Sequence, residues 1–125
     1  MAYKLTNTAL AKLIDGIFGT AITAPTYIGW GTGTNAAAVT DTALQTASAE
    51  SRVNGSKSKI TTTVANDTLQ VTGTLTSASA QTISEAGLFD ASTAGNMYVR
   101  GNFTGITLAN GDSIAFTITI QITTS

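Results

Sequence analysis

The sequence predicts an all-β fold: an antiparallel β-sandwich or jelly-roll-like module with a short amphipathic helix at its N-terminus. Three observations predict it. Period-two runs recur between Lys57 and Ile122, turn-forming residues separate those runs, and one stretch near the start has the period of a helix. A chain of 125 residues, 42% of them hydrophobic, can bury one core. The expected organisation is a single domain, with helix and connector over 1–24 and sandwich over 25–125.

The helix comes first. Leu10, Leu13, Ile14, Ile17 and Phe18 recur at i, i+3, i+4, i+7 and i+8, which places them on one stripe between Thr6 and Phe18. Thr6 or Asn7 can cap its start, and Gly19 follows the last periodic residue, where a left-handed residue ends many helices. Thr20 to Pro25 reads as a connector. Thr26 to Gly31 then reads as a short strand, with glycines on alternate positions that mark a bend or a close backbone approach.

Thr32 to Asn54 is rich in small residues and reads as a long surface excursion, with a helical turn expected near Asp41 to Gln45. Beyond Lys57 the alternation begins: Ile60, Thr62, Val64; then Leu69, Val71, Gly73, Leu75. It is clearest in Ile114, Phe116, Ile118, Ile120 and Ile122, set against Thr117, Thr119, Gln121 and Thr123. Asn66-Asp67, Ala94-Gly95-Asn96 and Asn110-Gly111-Asp112 supply turns, so sequential strands are expected to form hairpins. Roughly five to seven strands of ordinary length fit in this span.

Composition narrows function. Cysteine and histidine are both absent, which removes disulfides, thiolate chemistry, the commonest metal ligands and the usual general base. Charged residues make up 10% against about 25% in an average domain, and the net charge is −1, so no basic footprint for nucleic acid exists. The surface falls instead to small polar residues, 25 threonines among them, which suits dense assembly of copies. No stretch approaches about 18 apolar residues and no signal segment is seen, so the chain is expected to be made in the cytoplasm and to stay out of membranes.

No motif carries catalysis. Gly29-Trp30-Gly31-Thr32-Gly33 lacks the Gly-Lys-Ser/Thr ending of a phosphate loop, and the acidic residues are too scattered for a calcium loop. No catalytic, cofactor-binding or metal-ligating residue is assigned, and no cofactor is expected. Glu85 differs from the other acids because it sits in the apolar run Ile83 to Phe89, where a carboxylate needs a partner.

Turn length identifies that partner. A six-residue connection, Ala91 to Asn96, sets Leu88 opposite Val99, Gly87 opposite Arg100 and Glu85 opposite Asn102, with Arg100 diagonal to Glu85. Phe89, Tyr98, Arg100, Glu85 and Ile83 then share one face, and Glu85 and Arg100 form a structural ion pair. A one-residue slip would make Arg52 the partner instead. A face mixing aromatics with one ion pair has the character of a subunit interface. The candidate oligomer or capsid interface therefore comprises Leu10, Leu13, Ile14, Ile17 and Phe18 with Tyr27, Trp30, Phe89 and Tyr98.

The order Tyr27-Ile28-Gly29-Trp30-Gly31-Thr32-Gly33-Thr34, Asp41-Thr42-Ala43-Leu44 with Glu50 and Arg52, and Ile83-Ser84-Glu85-Ala86-Gly87-Leu88-Phe89, followed by Met97-Tyr98-Val99-Arg100 and Gly111-Asp112, resembles a family of small virion proteins of tailed bacteriophages. That family includes capsid decoration (cement) and tail-associated proteins. The resemblance implies a non-enzymatic protein shown in many copies, as a homo-oligomer, expected to be a trimer. Capsid decoration is the expected role, on the capsid surface against the major capsid protein, because the chain lacks a long repetitive shaft. Tail or tail-fibre attachment is the alternative. A sugar-binding sandwich, with Trp30, Tyr27 and Tyr98 stacking on a ring, is the reading from another class.

Overall fold

Thr6 starts the helix by satisfying two elements at once. Its hydroxyl oxygen accepts from the Ala9 N–H at 3.1 Å, capping the first turn, and donates to the Met97 carbonyl at 2.6 Å, tying that turn to the sheet. In the computed structural model, which describes residues 2–124, helix α1 runs Asn7–Phe18 and ends on Gly19 at φ 102°, whose N–H returns to Asp15 and Gly16. Only Ala9 of this helix is buried.

Among the described residues there are eight strands in chain order: β1 (Ala2–Leu5), β2 (Tyr27–Gly31), β3 (Val53–Asn54), β4 (Ser56–Ile60), β5 (Thr68–Thr76), β6 (Gln81–Phe89), β7 (Met97–Leu108) and β8 (Ser113–Gln121). They form two antiparallel sheets, ordered β1-β7-β6-β2-β3 and β4-β5-β8, stacked as a sandwich. Ile28, Trp30, Leu88, Val99 and Leu108 of the first sheet meet Val71 and Leu75 of the second, with Phe116, Ile118 and Ile120 half-buried against them. Trp30 meets Phe116 edge to face, ring centres 6.3 Å apart.

The hairpins β4–β5 and β6–β7 form as the turns predict. The Asn110-Gly111-Asp112 turn does not make a hairpin. β7 lies in the large sheet and β8 in the small one, so this turn arches across the sandwich, as does the β5–β6 connection. The two arches brace each other, since Gly111 N donates to the Ser77 carbonyl at 2.8 Å and Ser77 N to the Asp112 carbonyl at 2.7 Å. Leu108 enters the core at the end of β7, which anchors that strand to the large sheet and sends the next into the other layer. Thr62 and Val64, expected in a strand, lie in the β4–β5 turn.

β1 has no counterpart in the expected layout, where 1–24 is helix and connector. It pairs with β7, Lys4 opposite Arg100 and Leu5 opposite Val99. No helix is long and apolar enough to cross a membrane among the described residues.

Candidate functional site: a loop latch and two apolar surfaces

The β6–β7 ladder pairs Leu88 with Val99, Gly87 with Arg100 and Glu85 with Asn102. A register shift between Ile83 and Glu85 then alters which side chains share a face. Ser84 and Glu85 both reach the loop side, Ser84 Oγ donating to the Gly33 carbonyl at 2.8 Å and Glu85 Oε2 accepting from Gly33 N at 2.9 Å. Ile83 goes to the core instead of joining Glu85.

Glu85 is fully buried and accepts four bonds. Gly33 N, Gln45 N at 2.8 Å, Thr46 N at 2.8 Å and Arg100 Nε at 3.0 Å surround its carboxylate. Burial pushes the carboxyl's pKa up, but the donors from Thr46, Gln45, Arg100 and Gly33 outweigh it and hold the group below the ordinary carboxylate range. Arg100 also donates to Asp41 Oδ2 at 3.0 Å and to the carbonyls of Ala36 and Asn35. One ion pair therefore clamps the 33–46 part of the 32–52 loop onto the sheet.

Gly31, at the end of β2, and Gly33, just beyond it, make room for this clamp. A Cβ on Gly31 would stand 2.8 Å from Glu85 Oε2 and collide with the Thr46 carbonyl, and one on Gly33 would overlap the same carboxylate. No helical turn forms at Asp41 to Gln45, because the Gln45 and Thr46 N–H groups point at Glu85 rather than back along the chain.

This arrangement corrects the expected interface. The face bearing Glu85, Arg100 and Phe89 is covered by the chain's own 32–52 loop and Arg52, and Trp30, Phe89 and Tyr98 are each only 1% exposed. Buried rings cannot meet a partner subunit or stack on a sugar. Trp30 Nε1 instead donates to Glu50 at 2.9 Å, a carboxylate that also accepts from Gln81 and Ala78. Burial raises the pKa of the Tyr98 phenol, helped by the charges of Asp90 and Asp15. Tyr27 is half-buried beside them.

Arg52, the alternative partner for Glu85, is engaged elsewhere. Its guanidinium stacks 3.5 Å above the Phe89 ring and donates to the carbonyls of Ala91 and Ala94, bracing the β6–β7 turn.

Two apolar surfaces remain open. The helix stripe faces outward: Leu10 and Ile14 are more than half exposed, Ile17 is 83% and Phe18 86% exposed, and Leu13 is half-buried. Packing on the sandwich runs through Ala9 instead, leaving the stripe unpartnered within the chain. The second surface is an open groove of about 360 Å³ between β7 and β8, lined by residues such as Tyr3, Val99, Phe103, Ile106 and Phe116.

Two braced sheets, a surface of small polar residues and two exposed apolar patches define the module. The chain belongs to the family described as Podophage GP4 fiber I protein gp80, whose model matches residues 4–124. It is thus a small virion structural protein of a tailed phage. No curated protein and no solved structure matches it.

Proposed function

We propose that this protein is a non-enzymatic subunit of the tail-fibre apparatus, which attaches through the exposed stripe of α1. The family match over residues 4–124 carries this reading, and it favours the fibre alternative over the capsid-cement role expected first. A compact sandwich without a shaft suits a fibre-associated piece as well as it suits a clamp on the head. The stripe of Leu10, Ile14, Ile17 and Phe18 supports attachment, because a monomer gains nothing from exposing it and a partner would bury it.

Labelling of intact virions with gold-conjugated antibody tests the placement. Label confined to the tail end is the expected result, and label spread over the head would return the protein to capsid decoration. A phage carrying Ile17→Asp with Phe18→Ser should assemble particles depleted of this protein. Full incorporation of that variant would remove α1 from the attachment surface.

A further inference from the structure

Four strand edges bound the two sheets: β1 and β3 on the larger, β4 and β8 on the smaller. Three of them are blunted against pairing with another chain. β1 has four residues and β3 two, while β4 exposes Lys57 and Lys59. β8 has none of these guards. It runs nine residues without a charge or a proline, and its nine pairs with β5 show no register shift, so no bulge turns the edge away. The inward residues Ile114, Phe116, Ile118 and Ile120 are only half-buried, and the first three line one wall of the 360 Å³ groove.

We propose that β8 pairs antiparallel with β8 of a second copy, about a twofold axis at Thr117, joining the small sheets and closing the two grooves against each other. In this register Ile114 faces Ile120, Phe116 faces Ile118, Ala115 faces Thr119 and Ser113 faces Gln121. The large apolar residues of both strands stay on the groove side, and the polar residues, with Ala115, stay outside. Charge agrees with the choice of edge. A neutral strand meets its own copy without repulsion, whereas β4 against β4 would bring lysines together.

The area suffices too. Nine residues at about 3.4 Å each give an edge about 30 Å long, and two sheets about 10 Å apart are roughly 20 Å thick with their outer side chains. Roughly 600 Å² per partner results, at the lower end for a specific interface. The pair is twofold rather than the trimer the family resemblance implies, and it stands independently of the fibre placement.

Light scattering on the full chain at tens of micromolar should give twice the chain mass for the wild type. Thr117→Lys with Thr119→Lys, both at exposed positions, should give the chain mass with an unchanged circular dichroism spectrum. Because the chain has no cysteine, a lone thiol reports the register directly. Under mild oxidation Thr117→Cys should form a covalent dimer, and Ser58→Cys on β4 should not. This arm holds even if the lysine variant fails to fold. A monomeric or trimeric wild type, a dimer that survives the lysines, equal crosslinking through Ser58→Cys, or a dimer dissolved by Ile17→Asp on α1 would each overturn the proposal.

Discussion

Arg100 and Glu85 meet diagonally across β6 and β7, Nε to Oε1 at 3.0 Å, with both side chains essentially out of solvent. The pair spends most of its bonding capacity on the backbone of the 32–52 loop rather than on itself. Its loss should therefore be felt first in the loop.

Glu85→Gln should destabilise the protein by about 3–5 kcal/mol, since a cation loses a buried partner and three N–H groups lose a charged acceptor. Arg100→Gln should cost a similar amount. The double variant should lose less than the sum, by at least about 1 kcal/mol, as two groups in direct contact do. Additive losses in urea melts would show that the two side chains act separately.

Gly31→Ala should cost about 1–3 kcal/mol through overpacking against Glu85 and Thr46. Gly111→Ala should cost about 1–2 kcal/mol for a different reason: its φ of 94° is strained for alanine although space around it is open. Hydrogen exchange separates the two. Only the Gly31 variant should speed exchange at Gln45 and Thr46.

Acid should unfold the protein through carboxylates alone. Hydrogen bonding from Gln81 is the largest influence on Glu50 and lowers its pKa; backbone N–H groups, Thr62 first, lower Asp67 strongly; and Glu85 is lowered by its cradle. A group with a depressed folded pKa stabilises fully above its unfolded value, about 4.3 for Glu and 3.9 for Asp, and ceases to do so as pH falls through the folded value. The melting temperature should stay level from pH 7 to about 5.5 and drop below about pH 4.5. Glu85→Gln should flatten that drop. A transition near pH 6.5, where histidine titrates, has no group to carry it.

Ile17→Asp with Phe18→Ser should leave the stability of the isolated chain within about 0.5 kcal/mol, because both side chains are mostly in solvent. A calorimetric loss above about 1.5 kcal/mol would place the stripe in the protein's own core.

Thr6→Ala should cost about 1–2 kcal/mol by removing the cap and the link to Met97. Thr6→Ser keeps both hydroxyl bonds and should retain most of the stability. Equal losses in the two variants would mean that the methyl group, not the hydroxyl, holds α1 in place.

Local pattern made much of this readable. The helix bounds follow from a 3.6-residue stripe between Thr6 and Gly19, β8 from strict alternation, and the ladder from Glu85 to Leu88 from turn length alone. Features that depend on distant chain were not readable. Burial of Glu85 rests on N–H groups 39 to 52 residues away, and a loop of alanines and threonines carries no periodicity to announce that it covers a sheet. The arch after β7 has the residues of a hairpin turn, and burial of Leu108 and the neighbouring arch at Ser77 divert it. The helix stripe has the spacing of a core-facing surface, yet packing selected Ala9.

The pairing of Ala2 to Leu5 with β7 joins residues nearly a whole chain length apart. Such a contact bears the full entropy of closing the chain into a ring, so β1 docks only onto a β7 that is already in place. Thr6 then locks α1 to Met97, at the start of that same strand. The apolar stripe of α1 is thus held in position by a strand that is translated long after it. Until β7 has been translated, Ile17 and Phe18 hang on an unanchored segment with no set geometry to offer a partner. Synthesis order thus acts as a timer: the stripe takes its orientation only once β7 is in place.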